Sequence, residues 1–292
     1  MIRRVLPGAE KAFKVTREVC VSRPRVASAV AVGLGLSLIV AIIDLPLYHW
    51  LNALDQQVIH DLGGLSVLGD SSWYLIPTAL AAIAFARFAR RETGFRERQA
   101  FAWISRCSTF AFVAIASSGL IAVFLKYGIG RARPKLLEEQ GLLGFAPFSM
   151  DADFAGFPSG HANTIFTLAL VLLFFWSRYR VLWMAIACWV AFSRVLIDAH
   201  FLSDVVGGAG LAVLTTYFWR HWFAGRRIVF DRHGPGRIRL RGARLSGWIV
   251  QRLTTWPRWR GFAEDLARTG LTLLPQRMPS LTWVSGASNR QR

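Results

Sequence analysis

The chain has 292 residues, of which 53% are hydrophobic, with 12 Trp and a formal net charge of +18. So apolar a composition is foreign to a soluble enzyme of this length, and the expected class is an all-α, polytopic membrane protein with six transmembrane helices in a bundle. Cys20, Cys107 and Cys188 show neither a disulfide framework nor a ligand spacing.

Met1 to Arg25 is a basic leader that sets topology and can lie on the anionic inner leaflet. Val26 to Ile43 reads as the first span, with Asp44, Pro46 and Trp50 marking its outer end. No small-residue cleavage signal follows, so the span is read as retained rather than removed as a signal peptide. Leu51 to Asp70 carries Asp55, Asp61 and Asp70 but no Lys or Arg, and reads as an outer connection with a surface helix; His49 and His60 fit no ligand set and read as interfacial. The second span is Ser71 to Ala89, followed by the inner loop RFARRETGFRER. The third runs from about Phe101 to Leu125 and stops at Lys126, where KYGIGRARP offers two glycines for a bend, then Arg131, Arg133 and the helix-ending Pro134.

Lys135 to Phe157 is a long loop whose Glu138, Glu139, Asp151 and Asp153 read as solvated. FPSGHANT then opens the fourth span, His161 to Trp176, with Pro158, Ser159 and Gly160 at the helix start. Free N–H groups and the positive dipole end suit that position to an oxyanion. Val181 to Trp219 is too long for one crossing and must turn near His200, giving span five to about Ala199 and span six from His200 to about Phe223. Gly207, Gly208 and Gly210 suit close helix contact. From Ala224 a basic tail begins; IVFDRHGPGRIRL reads as a hairpin turning at Gly234 to Gly236, and Leu245 to Leu274 as interfacial helix on anionic lipid.

The 35 Lys and Arg are unevenly placed. Segments before span one, between two and three, between four and five, and after six hold thirty, and the other three hold five. The positive-inside rule therefore places both termini in the cytoplasm. Because the excess falls where insertion topology puts it, the basicity does not indicate a nucleic-acid partner.

Ser193 to Asp204, SRVLIDAHFLSD, sets Arg, His and Asp at the seam between two apolar runs, where charge is costly without a function to offset it. His200 and Asp204 stand four apart, so on helical backbone the carboxylate can orient the imidazole and free its other nitrogen to act as base or nucleophile. By parity, the end of span three (Lys126), the start of four (His161), the end of five (Arg194, His200) and the start of six (Asp204) all reach the outer, periplasmic face. Cations and N–H donors there would bind a phosphate and stabilise charge on its oxygens; His200 would attack phosphorus to form a phosphohistidine, and His161 would protonate the leaving oxygen. No Cys or carboxylate cage accompanies the set, so chemistry without a metal or other cofactor is expected.

The order K-x6-R-P (Lys126, Arg133, Pro134), P-S-G-H (Pro158 to His161) and S-R-x5-H-x3-D (Ser193, Arg194, His200, Asp204) resembles the type 2 phosphatidic acid phosphatase and vanadium haloperoxidase superfamily, over residues 26 to 223. The resemblance implies Lys126, Arg133 and Arg194 as phosphate ligands, Ser159 and Gly160 as further donors, His161 as general acid, His200 as nucleophile, Asp204 as its orienting partner, and a supporting role for Ser193. It also implies a six-helix core acting without metal on a membrane lipid phosphate: undecaprenyl diphosphate, phosphatidylglycerol phosphate, phosphatidate or a lipid A phosphate. Three rivals stay open. A lipid-to-lipid phosphotransferase needs only another acceptor, a non-catalytic lipid transporter or scaffold needs the cations but not the paired His200 and Asp204, and a vanadate-using haloperoxidase is disfavoured by the six spans.

Overall fold

The structure, a computed structural model, describes residues 42–55, 57, 59, 64–142, 144–233 and 237–242. The basic leader, all but the end of the expected first span, His60, Asp61, the turn at Gly234 to Gly236 and the tail from residue 243 lie outside the described residues. The chain divides into two compact units, Met1–Gly242 and Ala243–Arg292, and everything described belongs to the first.

Residues 42–52 are helical (α1). A 3-10 segment at Gly64–Gly69 leads to α2 (Ser72–Arg91) and α3 (Phe95–Ile129). Then come α4 (Gly160–Phe175), α5 (Arg180–Leu196) and α6 (Leu202–Gly225). Strands β1 (Phe230–Arg232) and β2 (Ile238–Leu240) pair antiparallel, Phe230 opposite Leu240. The protein is thus mostly helical rather than all-α, and the strands lie where the GPG signal predicts a hairpin. Among the described residues, Ser72–Arg91, Phe95–Ile129 and Ser177–Leu196 are long and apolar enough to cross a membrane; Gly160–Phe175 is apolar but shorter.

At 35 residues, α3 is about 52 Å long, well beyond the roughly 30 Å of a hydrocarbon core. Its first turn takes in Phe95 to Arg98, part of the expected inner loop, and Glu97 there complements the positive helix end. At the other end the chain turns at Gly130, in the left-handed region at φ 66°; a Cβ there would lie 1.9 Å from the Ala146 carbonyl oxygen. Gly128 stays helical, so one glycine makes the bend that two were expected to share. The break between α5 and α6 falls at residues 197–201, where the length argument puts it.

Helix α4 packs against α3, α5 and α6, while α2 lies along α3. One apolar cluster gathers Ala162, Ile165, Ala187, Val190 and Val205 with Leu51 and Ile59. A second joins Phe110, Val171, Phe174 and Phe223 to Val229 and Phe230, which are fully buried although they lie beyond Ala224. Phe230 sits edge-on to Phe110 at 4.9 Å. Between the clusters, Ser118 on α3 donates to Asn163 Oδ1 on α4 at 2.5 Å and accepts from Thr215 on α6 at 2.9 Å. Such mutual bonds satisfy polar groups buried away from water, although Asn163 Nδ2 has no partner among the described residues. Gly207 and Gly208 bring α6 against the segment before α4: a Cβ at 207 would meet the Phe157 ring at 2.4 Å, and one at 208 the Ser159 carbonyl oxygen at 2.4 Å. Gly210 has nothing within 4 Å and plays no such part. Outward faces are apolar, with Trp73, Phe124, Val181 and Phe218 all exposed, a belt that lipid can cover.

Candidate active site

His200 lies in the connection between α5 and α6, buried at 3% exposure. The fold holds it by its backbone: the Arg194 carbonyl, at the end of α5, accepts from Ala199 N at 3.1 Å and His200 N at 3.2 Å. Asp204, in the first turn of α6, turns its carboxylate back so that Oδ2 accepts from Phe201 N at 2.9 Å. The same oxygen stands 3.7 Å from His200 Nδ1, a charge contact longer than a hydrogen bond. The four-residue spacing thus places carboxylate and imidazole face to face, leaving Nε2 as the ring nitrogen turned from Asp204. Burial pushes the His200 pKa down to about 4, against the pull of Asp204; Lys126 and Arg133 lower it further.

The other candidates converge on this pair. Lys126, at the end of α3, donates to the Ala155 carbonyl at 2.6 Å and lies within electrostatic reach of Arg133, Arg194 and Asp204. His161, in the first turn of α4, lies within reach of Arg194, His200 and Lys126. Ser159 caps α4, its hydroxyl accepting from Ala162 N at 3.5 Å, while its own N–H is given to the Asp204 carbonyl at 2.9 Å. Donation from Ser159 to a ligand would therefore come from its hydroxyl, with the Gly160 N–H opening the helix beside it. Arg133 Nε, Arg194 Nε and His200 Nδ1 are buried without a hydrogen-bond partner among the described residues. Ser193 bonds its own helix, at the Val190 carbonyl, 2.7 Å away.

Several neighbours carry no motif signal. Buried Arg131 donates through Nη1 to Asp204 Oδ1 and to Ser203 Oγ, both at 2.6 Å, and through Nη2 to Asp44 Oδ2 at 3.1 Å. Asp44 also accepts from Ser203 N at 2.9 Å and from its hydroxyl. An acid at the end of an apolar run was the available clue, because ionisable groups at membrane depth tend to be paired and functional. From the 3-10 segment, Ser66 Oγ accepts from Arg194 Nη1 at 3.2 Å, and Gly69 is pressed against His161, where a Cβ would lie 2.7 Å from the His161 Cβ. Asp70, its pKa lowered by bonds from the Ser72 N–H and hydroxyl, is also within electrostatic reach of His161. Of the loop acids, Asp153 pairs with Lys135 at 2.5 Å on the surface, and Glu138 and Glu139 are exposed.

The sequence matches the family described as the PAP2 superfamily over residues 108–228. A lipid A 1-phosphatase of Rhizobium etli is 37% identical over 204 residues, covering 62% of this chain and 84% of that protein. A lipid A 1-phosphatase of Rhizobium johnstonii is 39% identical over 174 residues, covering 58% of this chain and 67% of that one. The crystal structure of a transmembrane PAP2-type phosphatidylglycerolphosphate phosphatase from Bacillus subtilis aligns with a TM-score of 0.49 at 22% identity, over 69% of this chain and 96% of that one. The family match and the two lipid A 1-phosphatase relatives, with the spanning helices, define a membrane lipid phosphatase, a phosphomonoester hydrolase. The chain belongs to the PAP2 superfamily.

Proposed function

We propose that the protein removes the phosphate from a phosphorylated glycolipid of the lipid A type, at the periplasmic face of a bacterial inner membrane, through a phosphohistidine on His200. The observation that carries the reading is the pair of half-buried arginines, Arg133 and Arg194, each with a buried and unpartnered Nε among the described residues; Arg133 lies within electrostatic reach of the His200 imidazole and Arg194 within reach of His161. Planar guanidinium forks match phosphate oxygens, and in a site shielded from water they stabilise the charge that builds there. Lys126 adds a third cation, and the Ser159 hydroxyl and Gly160 N–H add donors at the positive end of α4. In the first step a bond forms between His200 Nε2 and phosphorus while the bond to the lipid oxygen breaks, and His161 gives that oxygen its proton. In the second, water attacks phosphorus, His161 takes its proton, and the nitrogen–phosphorus bond breaks to free inorganic phosphate. Asp204 supports the positive ring between the steps. The lipid A 1-phosphatase relatives favour the glycolipid among the lipid phosphates considered.

The placement of charge supports six crossings over residues 26–223, with the leader and the tail from residue 224 on the cytoplasmic side against anionic lipid. Purified protein in detergent with a chelator present is expected to release phosphate from lipid A faster than from phosphatidate, phosphatidylglycerol phosphate or undecaprenyl diphosphate. Radiolabelled phosphate is expected to appear on the protein in an acid-labile, base-stable form. Dependence of turnover on a divalent ion, or on an acceptor lipid in place of water, would replace this mechanism; so would labelling from outside that finds Lys126 and His161 on opposite faces.

A further inference from the structure

We infer that Asp44, Arg131 and Ser203 form a positioning clamp that fixes Asp204 and keeps its negative charge available to His200. The inference rests on the reading of His200 and Asp204 given above. Arg131 is 7% exposed, Asp44 2%, Ser203 2% and Asp204 0%, so the charges act through protein rather than through water. Asp204 is held at both oxygens: Oδ1 by Arg131 Nη1 at 2.6 Å, and Oδ2 by the Phe201 N–H at 2.9 Å, the oxygen that also faces His200. The guanidinium is fixed in turn, its Nη2 on Asp44 at 3.1 Å and its carbon 4.8 Å over the Phe201 ring. Ser203 closes the circuit, accepting from Arg131 while its N–H and hydroxyl both go to Asp44.

The charge balance gives Asp44 its part. Arg131 bound to Asp204 alone would make a neutral pair, and the carboxylate would do little for a ring that becomes positive as phosphorus is attacked. With Asp44 sharing the guanidinium, the trio of two carboxylates and one cation keeps one net negative charge beside His200. The other groups facing that imidazole are Lys126 from α3, Arg133 from the loop after it, and His161 from α4. Lys126 and Arg133 bring positive charge to that side of the ring, and the trio sets a negative charge against them behind Asp204.

Arg131, Asp44 and Ser203 touch neither the phosphate nor the attacking nitrogen, so they are positioning residues. Asp44→Asn is expected to lower kcat by about 10- to 100-fold, the size of loss that follows when the partners orienting a metal-ligating His or carboxylate are removed, with KM changed by less than about threefold. Arg131→Gln is expected to do the same, and Arg131→Lys to recover part of the loss. The deciding measurement is a double-mutant cycle against Asp204→Asn. Combined with that change, Asp44→Asn is expected to cost almost nothing more. Multiplying losses would overturn the inference, as would an Asp44→Asn enzyme with unchanged kcat. Ser203→Ala, which removes a hydroxyl and no charge, supplies the same test if Asn at position 44 prevents folding, judged by monodispersity and Trp fluorescence. Wild-type turnover in Asp204→Asn itself would instead overturn the reading of His200 and Asp204, so the two failures are distinguishable.

Discussion

Gly208→Ala tests whether the site depends on how closely α6 approaches the start of α4. A Cβ at residue 208 would lie 2.4 Å from the Ser159 carbonyl oxygen, 3.2 Å from Asn163 N and 3.3 Å from the Ala162 Cβ. Ordinary contact begins at 3.4 Å, so the oxygen must yield by about 1 Å. It is backbone, and it accepts the first bond of α4 from Asn163 N at 3.0 Å, while Ser159 N is bonded to the Asp204 carbonyl at 2.9 Å. Relief therefore moves the helix start that carries His161 away from Asp204. Overpacking of this kind costs about 1 to 3 kcal/mol of stability, and a displacement near 1 Å at reacting groups costs on the order of 100-fold in rate. The assay is phosphate release at saturating lipid, with thermal unfolding followed by Trp fluorescence. Gly210→Ala, on the same helix with nothing within 4 Å, is the matched control; it is expected to keep wild-type turnover and gain up to about 1 kcal/mol from helix propensity. Equal behaviour of the two variants, or wild-type turnover in Gly208→Ala, would refute the reasoning.

His200→Ala is expected to reduce phosphate release to background while detergent-solubilised protein still binds the lipid; near-normal turnover would remove the nucleophile. Because burial holds the His200 pKa down to about 4, the ring is neutral and nucleophilic from pH 5 to 8, and the acid limb of kcat/KM set by this group should fall as pH drops through about 4. A limb near 6.5 would mean an ordinary, solvated imidazole. Gly69→Ala drives a methyl into His161, 2.7 Å from its Cβ and 2.8 Å from Cδ2. It is expected to lower kcat by about tenfold or more with little change in KM; turnover equal to wild type would show that His161 need not hold this place.

The helical class could be read directly, because apolar runs of spanning length recur along the chain, and the turn near His200 could be read because Val181 to Trp219 is too long for one crossing. That Lys126, His161, Arg194, His200 and Asp204 come together could be read too. Charge inside apolar sequence is costly, and counting crossings brings all five to one end, where the structure sets them within electrostatic reach of one another. Asp44 resisted such reading because an acid at the end of a span is also what an interface wants. Its partner Ser203 stands 159 residues away, so no local spacing reports the pair. Arg131 was visible as a residue, but Arg133 beside Pro134 drew the motif to itself. The helix of the third span begins earlier than the apolar run, at Phe95 in the expected inner loop, for a different reason: a helix that continues past its apolar stretch carries charges such as Arg96 and Arg98 as any soluble helix does. The Gly69 contact with His161 is a matter of shape, and composition carries no trace of it.

The separation of Asp44 from Ser203 and Asp204 also bears on biogenesis. Ribosomes deliver the chain from the amino terminus, so Asp44 enters the translocon long before its partners have been synthesised, and Arg131 arrives between them. Until the last helix docks, two acids and a guanidinium stand without their full complement of bonds in a poorly hydrated setting, which penalises partial assemblies. A protein ending before residue 202 would be a target for membrane proteases rather than a weak enzyme, and the hydrolytic centre would come into being only once α6 had been made and had docked.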